Sequence, residues 1–116
     1  MNLTTKGIPK KGLPEGFVYI DKLIPDSIID AEYAGTDNFM GRPAEGYNQP
    51  LVVMTTQAAE CCVKAAEILR NQGYVMKFYD AFRPQRAVND FIRWGDDIED
   101  QRRKPVHYPN VEKAAM

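Results

Sequence analysis

The sequence predicts an α+β fold, an antiparallel-rich sheet carrying two amphipathic helices, on three observations. Short apolar runs bounded by breakers fall at 17–20, 28–33 and 74–79, two stretches with helical spacing fall at 56–71 and 84–94, and the two kinds alternate irregularly. At 116 residues, 44% hydrophobic and 27% charged, the chain has the apolar content to build one core.

Residues 1–16 read as a flexible arm and 17–116 as the folded unit. The arm carries positive charge but no apolar segment and no small-residue cleavage pattern, so it does not read as a signal peptide. The run at 17–20, between Gly16 and Asp21, starts the first strand, and a second extended piece covers 28–33. Gly41, Pro43, Gly46, Asn48 and Pro50 then crowd the segment 38–50, which is expected to be a long loop of the kind that lines sites, or else a passive connector. Within it Asn38 is expected to bond local backbone and Phe39 to anchor the loop to the core.

Thr55 or Thr56 can cap a helix reaching Asn71, with Gly73 ending it. Cys62, Ala65, Ala66 and Leu69 form its apolar stripe, and Cys62 reads as a core residue because no histidine lies near it in sequence. A strand at 74–79 follows, with Val75 and Met76 apolar and Lys77 facing water. After a turn at 80–83, Pro84 suits the first position of a second helix, whose buried stripe is Ala87, Val88, Phe91 and Trp94. Arg102-Arg103-Lys104 is expected to be a solvated loop before Pro105, and Asn110 to cap a short helix through Ala115.

A formal charge of −1 gives no global field for nucleic acid, and no window approaches the roughly 20 apolar residues that cross a bilayer, so neither partner is expected. Cytoplasmic location is the resulting expectation, and two adjacent cysteines agree with a reducing compartment. Cys61 and Cys62 point about 100° apart on a helical wheel and His107 is the single histidine. A catalytic zinc usually takes three protein ligands, so no metal is expected to be bound by this chain alone.

The turn at 80–83 carries the strongest chemical signal. It sets Arg83 where a strand hands over to a helix, and a guanidinium there can hold a carboxylate or a developing oxyanion with planar donors and a permanent charge. The helix N-terminus adds backbone donors and a field that favours anions. The alternative is an Arg83–Asp80 ion pair that only tethers the corner.

Asp80-Ala81-Phe82-Arg83-Pro84, with Arg86-Ala87-Val88-Asn89, Phe91 and Trp94, resembles the arginine-bearing motif of the zinc-dependent D-alanyl-D-alanine dipeptidases. Phe17-Val18-Tyr19-Ile20-Asp21, Asp30-Ala31-Glu32-Tyr33-Ala34, Asp37-Asn38-Phe39-Met40-Gly41-Arg42-Pro43, Gly46-Tyr47, Gln72-Gly73-Tyr74 and His107-Tyr108-Pro109-Asn110 fall in the same order and at similar intervals, so the resemblance runs over 17–116. It implies the D-Ala-D-Ala dipeptide as substrate, in cell-wall precursor metabolism. Arg83 would be the catalytic residue that steadies the oxyanion formed at the peptide carbonyl, and Tyr33 would line the substrate pocket with an apolar wall and a polar tip. It also implies one zinc held by a His-x6-Asp pair and a later Glu-x-x-His, whose glutamate is the general base, and neither pattern occurs in this chain.

The chain therefore reads as the incomplete N-terminal half of a zinc D,D-peptidase fold, inactive by itself. A complementary C-terminal half or self-association through an exposed sheet edge is the expected partner. Two other readings stay open, a non-catalytic remnant that binds peptides or carboxylates or dimerises, and an independent fold that uses the Arg83 corner to bind a carboxylate.

Overall fold

The computed structural model describes residues 12–116. Strand β1 (Phe17–Tyr19) runs into a one-turn helix α1 (Ile20–Leu23), followed by strand β2 (Ile28–Ile29) and a 3-10 turn at Glu32–Ala34. After the breaker-rich loop come strand β3 (Val53–Thr55), helix α2 (Thr56–Asn71), strand β4 (Lys77–Phe78) and helix α3 (Gln85–Asp96). A short helix α4 (Lys104–His107) and a second 3-10 turn (Lys113–Ala115) follow.

The mixture of helix and strand is α+β in class, but the strands do not make one antiparallel-rich sheet. β1 pairs antiparallel with β3, setting Val18 against Met54, while β2 pairs parallel with β4 in a separate two-stranded ladder. The expected strands at 28–33 and 74–79 shrink to two ladder residues each, because the chain turns into the 3-10 helix after Asp30, and Tyr74 and Val75 project into solvent. Of the expected arm, residues 1–11 lie outside the described residues. Its last part is engaged: Leu13 packs against the core, and the Gly16 carbonyl accepts from Thr56 N–H at 2.9 Å.

β3 separates two apolar clusters because successive side chains of a strand point to opposite faces. Val52 and Met54 join Ile20, Ile24, Ala59, Ala66 and Phe78 beneath α2, whereas Val53 joins Met40, Ala44, Tyr47, Ala87, Trp94 and Tyr108 beneath α3. Helix α2 follows its predicted course: Thr55 Oγ1 accepts from Ala58 N–H, Ala66 of the expected stripe is buried and Cys62 packs against the first cluster, and Ala59, outside that stripe, is buried as well.

Helix α3 begins one residue later than its sequence suggests. Pro84 is extended at ψ 146° and serves as the N-cap, its carbonyl accepting from Ala87 N–H at 3.0 Å. The buried stripe contains Ala87 and Trp94 as predicted, but also Asp90.

Two expectations for the last fifteen residues are corrected. The basic run is not a solvated loop: it leads into α4, and Arg102, Arg103 and Lys104 pair with Asp100, Asp37 and Glu112. Asn110 caps no helix, because Lys113 is drawn inward, donating from Nζ to the Asp97 and Asp100 carbonyls beside the Trp94 ring, and this pins a 3-10 turn. Among the described residues, no helix is long and apolar enough to cross a membrane.

Candidate functional site

The Arg83 corner is fixed by backbone and side chain together. Phe82 N–H donates to the Val53 carbonyl at 2.8 Å, tying the turn to β3, and the Phe82 ring meets Phe17 edge-on at 6.1 Å. Arg83 then stands at the mouth of α3. Its Nε and Nη2 donate to Asp80 Oδ2 at 3.1 and 2.9 Å. Asp80 Oδ1 accepts from the Tyr47 hydroxyl at 2.7 Å, so both carboxylate oxygens are engaged.

The structure brings the two sequence-predicted site residues together. The Arg83 guanidinium lies 5.2 Å from the centre of the Tyr33 ring and 5.1 Å from that of Phe91, within the range of a cation–π contact. Tyr33 itself packs among Phe39, Tyr47 and Phe91, with ring centres 5.1 to 5.9 Å apart. The corner is thus an arginine backed by a carboxylate on one edge and a bank of aromatic rings below. The Arg83 side chain is 41% exposed, against 16% for Asp80. Two of the five guanidinium N–H groups serve Asp80, which leaves three beyond that pair.

The electrostatics favour a permanent cation beside a permanent phenol. Partial burial works against the Arg83 charge, but the hydrogen bonds and charge of Asp80 outweigh it and raise the guanidinium pKa. Burial, reinforced by the bond to Asp80, pushes the Tyr47 phenol far above its ordinary value, with only a smaller opposing influence from Arg83. Tyr47 therefore remains a proton donor to Asp80 across the usual pH range.

The breaker-rich segment is an ordered loop held over this corner by its own polar groups. Asn38 is buried, with the carbonyls of Glu32, Gly35 and Arg42 each 3.0 Å from Nδ2, sharing its two N–H donors, and with Oδ1 accepting from Met40 N–H and Gly41 N–H. Phe39 anchors it as expected, its ring 5.1 Å from Phe91 and 4.8 Å from Trp94. Further along, Arg42 grips Asp90 of α3 through both Nη atoms at 2.8 and 2.9 Å, and Asp90 also accepts from Glu45 N–H.

The Arg83–Asp80 ion pair offered by the sequence is present, whereas Tyr47 and Asp90 carry this site without having been given a role in it by their sequence pattern. Asp90 left a signal, since it falls on the same helical face as Ala87 and Trp94, and an acid on an apolar stripe calls for a buried partner. Tyr47 left none, because its partner is 33 residues away.

The donor set does not fit a zinc ion. Among the described residues, no three His, Cys, Asp or Glu side chains gather where they could hold a metal. His107 Nε2 lies 3.3 Å from Asp37 Oδ1 but also 3.1 Å from Arg103 Nη2, a cation where a second metal ligand would be needed. Cys61 is exposed, and Cys62, half-buried, belongs to the other cluster.

This arrangement occurs in a chain with extensive likeness to known enzymes. The family model described as D-ala-D-ala dipeptidase matches residues 14–116. The chain is similar to D-alanyl-D-alanine dipeptidases of Enterococcus faecium, 39% identical over 87% of this chain and 50% of the relative, and of Streptomyces coelicolor, 39% identical over 86% and 50%. A third, from Enterococcus faecalis, is 34% identical over 90% of this chain and 52% of the relative. The chain spans about half the length of these curated relatives. It belongs to the D-Ala-D-Ala dipeptidase family.

Proposed function

We propose that this chain provides the oxygen-holding corner of a D-Ala-D-Ala dipeptidase. Arg83 steadies the negative charge that develops on the scissile carbonyl oxygen, and Tyr33 forms an aromatic wall for the dipeptide. The zinc ligands and general base come from polypeptide outside this chain, as the complementary C-terminal half. The observation that carries the reading is the meeting of Arg83 and Tyr33, with guanidinium donors left over after Asp80 is served. A preorganised donor aimed at a developing oxyanion typically contributes 10²–10³ in turnover, roughly 3 to 4 kcal/mol of barrier lowering.

A single experiment tests this. D-Ala-D-Ala hydrolysis and zinc content are measured for the chain alone and after mixing with the C-terminal half of the Enterococcus faecium relative. The expected result is no turnover and no stoichiometric zinc from the chain alone, and both from the mixture. In the mixture, Arg83→Ala should cut turnover about 10²–10³-fold with zinc retained. Near-normal turnover in that variant would refute the role of Arg83, and zinc with turnover from the chain alone would refute the division of the site.

Saturable binding of the dipeptide without hydrolysis, even in the mixture, would favour a second reading, a non-catalytic carboxylate-binding module. The Arg83 N–H groups not spent on Asp80 suit that role equally.

A further inference from the structure

We propose that Tyr47 and Asp80 are positioning residues for Arg83, locking one edge of its guanidinium so that the remaining donors face a peptide oxygen. The choice of a peptide ligand rests on the function proposed above, whereas the lock rests on geometry alone.

Asp80 alone would hold Arg83 loosely. The two residues are three apart and the arginine is 41% exposed, a setting in which an ion pair contributes little and a carboxylate can turn about its own bond. Here the carboxylate cannot turn without losing a contact. One oxygen accepts both Arg83 bonds and the other accepts the Tyr47 hydroxyl. A tether needs only the pair, while the buried phenol gives the pair a direction. A phenol has a single O–H to donate, and in Tyr47 it is committed to Asp80.

Tyr47 is held in turn. The preceding Gly46 has φ +92°, and a side chain there would meet Pro84 Cβ at 3.0 Å, so the loop backbone lies directly against the N-cap of α3. One residue further back, Glu45 N–H donates to Asp90 Oδ2 at 3.0 Å. A continuous set of contacts therefore runs from the body of α3 through Asp90, the Glu45–Gly46 backbone, Tyr47 and Asp80 to the arginine. Because the guanidinium is a rigid planar fork, fixing one edge against Asp80 also fixes the direction of its other donors.

The test uses Tyr47→Phe, which keeps the ring and removes the hydroxyl, and Asp80→Asn as a second variant in case the first fails to fold. Hydrogen exchange of the Arg83 Nε–H is measured by NMR, and the affinity for D-Ala-D-Ala by titration. The proposal expects either variant to keep the backbone amide signals of β3 and α3, to speed Arg83 Nε–H exchange about tenfold, and to weaken the dipeptide about tenfold, as loss of a charge-assisted bond does. Arg83 Nε–H exchange unchanged from wild type in a folded variant would overturn it. Faster exchange in the variants, in a chain whose wild type binds no dipeptide, would support the lock while removing the function proposed above. Weaker binding with unchanged exchange would overturn the lock and leave that function standing.

Discussion

On the α2 side of β3 the interior is apolar, with Ile20, Ile24, Val52, Ala59 and Phe78 in contact, and the charges there, Arg70 with Asp26 and Lys77 with Asp30, pair at the surface. On the α3 side Asn38, Asp90 and Lys113 are buried among rings and bonded to backbone carbonyls, backbone N–H groups or an arginine. Apolar burial has no direction and tolerates substitutions of similar volume. Buried polar bonds have direction, and their loss strands a desolvated partner. The site side is therefore the one whose geometry depends on individual atoms, as an arginine that must point somewhere requires.

Asn38→Ala should be the most damaging change. It removes bonds to three carbonyls and two N–H groups of the loop, and urea unfolding should show a loss of about 3 kcal/mol. Asp90→Asn should cost about 2 kcal/mol at pH 7, since Arg42 and the Glu45 N–H lose a charged acceptor. This cost should depend on pH. Hydrogen bonding from Arg42, helped by Glu45 N–H and the charges of Arg42 and Arg93, outweighs burial and lowers the Asp90 pKa. A depressed carboxyl stabilises the fold above its unfolded pKa of about 3.9 and loses that contribution as pH falls through the lower folded value. Wild type and Asp90→Asn should therefore converge below about pH 4 and differ most at neutral pH.

Lys113→Met should cost about 1 kcal/mol, because the chain-like side chain still fills the space beside Trp94 but the Asp97 and Asp100 carbonyls lose their donor. At the small end, Asp26→Asn should leave the melting temperature unchanged within error, as the pair it breaks is solvent-exposed and screened. If Asp26→Asn costs as much as Asp90→Asn, the contrast between the two sides fails.

Helix α2 was legible because its stripe, its Thr55 cap and its Gly73 stop all report on the same local periodicity. The turn that presents Arg83 and the role of Asn38 in the loop were legible for the same reason, since each depends on neighbours in sequence. Phe39 was legible only as a large apolar ring in a polar loop, its partners Phe91 and Trp94 lying far along the chain. The strands were overestimated, since an apolar run shows that a segment can extend but not how many residues find a partner, and β2 and β4 find two each. What the sequence could not give was the long-range wiring. Arg42 reaches Asp90 across 48 residues and Tyr47 reaches Asp80 across 33, and no spacing rule encodes either. Lys113 misled because lysines are rarely buried, and its two carbonyl partners lie on a turn whose path depends on α3.

Titration of D-Ala-D-Ala into the wild-type chain and into Arg83→Ala, followed through the side-chain signals of Arg83 and Tyr33, addresses the central claim most directly. Saturable shifts at both residues, with affinity at least about tenfold weaker in the variant, are the predicted result. Equal affinity in the two proteins, or binding that leaves Tyr33 unperturbed, would contradict it.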